Sequence, residues 1–199
     1  MNKISIRNYP MINPTPVAIL GAEVGGKPNY TTIGAFGVVC LEPIFYVSVK
    51  STHHITKGIK ESGFFSINLP SADMVQKTDY CGMVSGKTVD KAAMFTTCYD
   101  DQRNTPFIKE APLNYLCRVV QSTTVCGFDV FFSEIQSTLA GEDFFTDNHP
   151  DPLKINPLLL MGYQYYSFGS AIGSVFKEGL DIKNAQPVIL DEPLNPHIS

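Results

Sequence analysis

The chain has 199 residues, 44% of them hydrophobic and 17% charged, with a formal net charge of −4. That balance describes a folded globular protein with room for a sizeable core and excludes a disordered chain. With no basic run and no apolar run of membrane length, neither nucleic acid nor a membrane is expected as a partner.

Residues 1–15 carry prolines at 10 and 14 and read as an N-terminal arm, 16–180 as one domain, and 181–199 as a C-terminal tail. Prolines 10, 14 and 16 break up the Val17-Ala18-Ile19-Leu20 run as a signal core, so the expected location is cytoplasmic. Five cysteines, at 40, 81, 98, 117 and 126, are odd in number and lack any Cys-x-x-Cys pair. They read as free thiols in a reducing compartment, and no metal site is expected.

A first strand is expected over 16–23, then a turn at Gly25-Gly26-Lys27-Pro28. Asn29-Tyr30-Thr31-Thr32 follows, ahead of a run rich in small residues, Ile33, Gly34, Ala35 and Gly37. Residues 45–50 alternate, with Phe45, Val47 and Val49 on one face and Tyr46, Ser48 and Lys50 on the other. Thr52 is placed to cap a short helix around Ile55 and Ile59 that Gly63 ends. His53 and His54, adjacent on that turn, do not share a face and are a poor metal pair.

A strand is predicted over 64–69, closed by Pro70, then a helix capped by Ser71 that covers 75–84. A helical turn is expected over 89–95 and a polar surface loop over 100–112. Residues 113–124 and 128–139 read as a long hairpin, rich in β-branched and aromatic residues. A proline-punctuated loop spans 147–157, and one further apolar strand spans 158–168. Strands without a regular βαβ rhythm indicate a mostly antiparallel barrel with helical excursions.

The densest chemistry lies in 79–91, Asp-Tyr-Cys-Gly-Met-Val-Ser-Gly-Lys-Thr-Val-Asp-Lys. Ser85 offers a hydroxyl, Gly86 permits close backbone approach, and Lys87 supplies a mobile cation, a combination suited to phosphate. A Walker A loop is excluded, because Cys81 stands where the first glycine is required and no strand leads into it. The bland alternative is a helix end closed by Gly86 with a solvated lysine beyond. Asp129 and Glu134 fall on opposite faces of one strand and make no acid pair. No catalytic residue stands out, so redox chemistry would come from a cofactor.

These motifs together resemble the flavin reductase-like FMN-binding split barrels, closest to flavoredoxin. The likeness rests on Asn29-x-Thr31-Thr32 after the Gly-Gly-Lys-Pro turn, Ser48-Val49-Lys50, Asn68-Leu69-Pro70, and Tyr80-Cys81-Gly82-x-x-Ser85-Gly86-Lys87 with Asp90-Lys91. It implies a mostly β split barrel, a homodimer, and FMN held near the subunit interface. Carried over, Asn29, Thr31 and Thr32 would lie against the isoalloxazine and ribityl chain. Ser48, Lys50 and Thr56 would serve the phosphate side, and Asn68 and Leu69 would touch the flavin. Cys81, Ser85, Gly86 and Lys87 would close the phosphate end.

Lysines stand at 50 and 87 where the family commonly has arginine, which makes phosphate recognition a matter of point charge. The family's Gly-Asp-His is replaced by Gly127-Phe128-Asp129, which removes the histidine associated with nicotinamide. The implied activity is electron transfer through FMN, with NAD(P)H or a redox protein as donor. The other readings are a non-catalytic FMN carrier and a split barrel for another phosphorylated or porphyrin-like ligand.

Overall fold

The computed structural model describes residues 3–6, 8, 13–100, 105–175, 177 and 178. The expected tail at 181–199 lies outside them. Seven strands make the main sheet: β1 (Ala18–Val24), β2 (Lys27–Ile33), β3 (Phe36–Cys40), β4 (Ile44–Lys50), β5 (Phe64–Leu69), β6 (Leu113–Val125) and β7 (Phe128–Ala140). Their order is β2-β1-β5-β6-β7-β4-β3, and every pairing is antiparallel. Two helices matter to the site, α1 (His54–Ser62) and α2 (Val75–Met83).

β1 explains the centre of the fold. Its Ala18, Leu20 and Ala22 join Val47, Val49, Ile55, Ile59, Phe65, Ile67 and Phe131 in one core. Its Ile19 points the other way, into a second core with Tyr30, Cys81, Phe95 and Ile108. Because both faces of β1 are buried, its sequence runs without a polar side chain from Ala18 to Ala22 instead of alternating. β4 has one buried face, Val47 and Val49, and there the alternation holds.

The long hairpin forms as the sequence predicts, one residue longer on each strand. It turns on Cys126 (φ 50°) and Gly127 (φ 80°), the two positive φ values a tight hairpin turn requires. Cys126 therefore sits in the turn and not in a strand, and it carries a side chain in the left-handed region. Cys126→Asn, which restores a favoured Asn-Gly turn, is expected to stabilise the fold by up to about 1 kcal/mol, read as a higher urea midpoint. A lower midpoint would refute it.

Three local expectations are corrected. The 100–112 segment contains a strand, Pro106–Ile108, paired with Thr97–Tyr99, because Ile108 is drawn into the second core. The 158–168 strand is two short ones, Leu159–Met161 and Gln164–Tyr166, folded back at Gly162 and Tyr163, the first of them also pairing with Thr15–Pro16. His53, not Thr52, holds the N-cap position of α1, and neither it nor Ser71 makes a side-chain cap bond.

The chain divides into two compact units, Met1–Phe168 and Gly169–Ser199. In the second, Ser174 N–H donates to the Glu178 carboxylate at 2.9 Å.

Candidate functional site

The turn from β4 into α1 is tied to one carbonyl. Lys50 C=O accepts the His53 N–H at 2.9 Å and the Thr56 hydroxyl at 3.1 Å. Thr56 is buried by this role, which fixes where Lys50 leaves the sheet and where His53 begins the helix.

α2 packs Thr78 and Cys81 inward, and the Thr32 hydroxyl on β2 donates to the Thr78 carbonyl. Beyond its last turn the chain tightens around Ser85. The Ser85 carbonyl accepts the Thr88 and Val89 N–H groups at 3.1 and 3.0 Å, and its hydroxyl accepts the Lys87 N–H at 3.3 Å. The N–H groups of 87–89 thus turn inward, and the loop faces outward with the Lys87 cation. Gly86 packs closely here: a Cβ would stand 2.3 Å from the Asn29 amide nitrogen and would force that side chain to shift. Its absence lets the loop rest directly on Asn29.

A cavity of about 300 Å³ opens between these elements, lined by Asn29 and Thr31 of β2, Thr52 to Ile55, and Gly82 to Lys87, with Lys91. A second of about 250 Å³ is lined by Thr32, Ile33, Ser48, Lys50 and Phe128 among others, and His53 lines both. Among the described residues neither lining contains a carboxylate, although acids outnumber bases in the chain, 19 to 15. The His53 imidazole shows the resulting field. Desolvation lowers it from its ordinary value, and the Lys91 and Lys50 ammoniums push the same way. Burial pushes the Cys81 thiol up to about 11, with Lys91 and Thr32 pulling against it, so it is an inert core thiol. Cations, hydroxyls, an amide and an uncommitted imidazole without an acid make a receptor for an anion.

Of the residues that the sequence singled out, Asn29, Thr31, Ser85, Gly86 and Lys87 share the first cavity, while Thr32, Ser48 and Lys50 share the second. Thr56, Asn68, Leu69 and Cys81 line neither. Asn68 has no exposed surface, and its amide donates to Ile19 C=O at 2.7 Å and to the Ser66 hydroxyl at 3.0 Å. Its carbonyl accepts Ile108 N–H at 2.9 Å and Asn114 at 2.8 Å. Asp129 is held by Lys60 at 2.7 Å and by the Thr124 hydroxyl at 2.7 Å, and Glu134 by Arg118 at 2.6 Å, so the two acids have separate partners.

Residues 11–169 match the flavin reductase like domain. The chain belongs to that family. A flavoredoxin from Methanosarcina acetivorans is 38% identical with a TM-score of 0.88, over 92% of this chain and 100% of that one. The flavoredoxin of Desulfovibrio vulgaris (Miyazaki F) is 25% identical with a TM-score of 0.84, over 89% and 100%. A Shewanella frigidimarina protein described as having a split barrel domain aligns at 17% identity and a TM-score of 0.73, over 81% and 85%. No curated protein sequence matches this chain.

The fold is therefore the split barrel of the flavin reductase-like family, and the chain is a flavin redox protein of the flavin reductase and flavoredoxin kind. Among the described residues no helix is long and apolar enough to cross a membrane. Within this family frame, the site has members to which the sequence assigns no role. Lys91 enters the family motif only as the end of Asp90-Lys91, and His53 reads as half of a poor metal pair. Only the fold brings them to the cavity wall.

Proposed function

We propose that this protein binds FMN and passes electrons through it as a homodimer. The observation that carries the reading is the cavity, lined by no carboxylate among the described residues, in which Lys87 and Lys91 stand beside the Ser85 and Thr31 hydroxyls and the Asn29 amide. Two ammoniums near one phosphate balance its dianion, and the hydroxyls and amide satisfy its oxygens. The residues present fit FMN: Asn29, Thr31, Ser85 and Lys87 would hold it from one cavity, and Thr32, Ser48 and Lys50 from the next. Bound FMN would supply the electron-carrying chemistry, while the chain orients it and excludes water. The cytoplasm suits this reading, since all five cysteines are free thiols.

For the donor, a redox protein is favoured over NAD(P)H as direct reductant. The hairpin position where the family pattern calls for a nicotinamide-associated histidine holds no such group, and its Asp129 is 2% exposed and committed to Lys60.

Exposed apolar groups support the homodimer. Strand β3 is a sheet edge with Val38 61% exposed and Leu41 beyond it fully exposed. Across the sheet end the hairpin shows Val125 and Phe128, and Phe128 also lines the cavity of Ser48 and Lys50. Of the C-terminal aromatics, Tyr163, Tyr166 and Phe168 are exposed, whereas the Tyr165 hydroxyl donates to Asp79 at 2.8 Å.

The purified protein is expected to show a flavin absorption spectrum, to release FMN on denaturation, and to scatter light as twice its 21.9 kDa chain mass. A colourless protein that also ignores added FMN overturns the reading. Released FAD, a porphyrin or another phosphorylated ligand overturns the FMN assignment, and a flavin that NAD(P)H reduces rapidly overturns the preference for a protein donor.

A further inference from the structure

Lys91 is the least expected cation in the molecule. Only 3% of it is exposed, whereas Lys87, four residues earlier, stands in solvent. Its Nζ donates to the Cys81 carbonyl at 2.9 Å and to the Val84 carbonyl at 3.2 Å. These belong to the end of α2, where carbonyls lack helical partners and the helix dipole is negative. α2 ends at Met83, followed by Val84 at φ −107°, so no left-handed glycine closes it. The lysine does that work, and in doing so it sets the start of the loop that carries Ser85, Gly86 and Lys87.

Both acceptors are neutral. Among the described residues no carboxylate pairs with Lys91, and its neighbour Asp90 is turned away to accept the Ala92 N–H at 3.0 Å. An ammonium buried against carbonyls alone is costly, and an anion beside it removes much of that cost. Lys91 also lines the first cavity, so such an anion has a place to bind.

We infer that Lys91 is a positioning residue of the site that closes α2, fixes the 84–87 loop and presents a buried charge to the phosphate of the bound flavin. This rests on the FMN reading above. The titratable groups that face it are the Cys81 thiol from α2 and the His53 imidazole ahead of α1; Lys87 shares its cavity. Burial lowers Lys91 below the ordinary lysine value, with Cys81 working the other way. The protonated form favours the anion, so FMN affinity holds at pH below the free protein's Lys91 value and falls as pH rises through it.

The test measures FMN and riboflavin affinities for wild type, Lys91→Met and Lys91→Arg between about pH 7 and 10, where the facing His53 is already neutral and Cys81 still protonated. Lys91→Met is expected to lower the FMN-to-riboflavin affinity ratio about tenfold. Lys91→Arg is expected to keep most of that ratio and to lose the alkaline decline, because a guanidinium stays charged. If Lys91→Met does not fold, the Lys91→Arg pH profile still decides. Equal losses for both ligands in Lys91→Met, or one alkaline profile shared by wild type and Lys91→Arg, overturn the inference. A wild-type protein with no preference for FMN over riboflavin instead overturns the phosphate reading beneath it.

Discussion

Replacing Lys87 with methionine is expected to weaken FMN binding about ten- to a hundredfold while barely changing riboflavin binding. Methionine keeps most of the apolar stem and removes the charge. A hydrogen bond to a charged group contributes roughly 1.5–3 kcal/mol, which sets that range of affinity. Lys87 is solvated in the ligand-free protein and has no ion-pair partner among the described residues, so its removal should cost little stability. Riboflavin, which lacks the phosphate, is the internal control. Lys50→Met is expected to behave in the same direction, because Lys50 shares the second cavity with Ser48 and its charge reaches His53 between the two. Equal losses for both flavins would mean damage to the fold, and no loss for FMN in either variant would reduce the Ser-Gly-Lys loop to a helix end.

Where a local pattern decides an element, the sequence was enough. The alternation of 45–50 follows from one buried face, and α1 and β5 end where Gly63 and Pro70 say they should. The split barrel was legible through the order of several weak motifs. Pro106–Ile108 was not, because three residues carry no period and their pairing is set by Tyr30, Phe95 and Ile108 meeting in the second core. The site was legible to the extent that its residues touch the cavity from nearby elements: Asn29, Thr31, Ser85, Gly86 and Lys87. Lys91 was visible only as the end of a motif and its role was not, because its burial depends on carbonyls seven and ten residues back, at the end of α2. Asn68 shows the opposite case. The Asn68-Leu69-Pro70 motif fits the family pattern, yet the side chain's partners at Ile19, Ile108 and Asn114 are 40 to 49 residues away and place it in the core.

Asn68→Ala is therefore expected to destabilise the protein by about 3–5 kcal/mol instead of acting chiefly on flavin affinity. The amide joins β1, β5, β6 and the Pro106–Ile108 strand through four hydrogen bonds, with no solvent exposure. Alanine leaves the Ile108 N–H without its side-chain acceptor and withdraws a donor from the Ile19 carbonyl. Ser66 and Asn114 are better protected, since Ser66 still donates to Pro106 C=O at 2.6 Å and Asn114 to Ile108 C=O at 3.0 Å. Each buried group left unsatisfied costs roughly 1–3 kcal/mol, and the small cavity adds to that. Against a typical stability of about 5–15 kcal/mol, such a loss moves the urea midpoint far while the slope stays constant. Asn68→Asp should not rescue it, because a carboxylate keeps the acceptor for Ile108 but meets the Ile19 carbonyl with like charge. If Asn68→Ala holds its urea midpoint and loses FMN selectively, the side chain is a flavin ligand after all, and the core network is not what it serves.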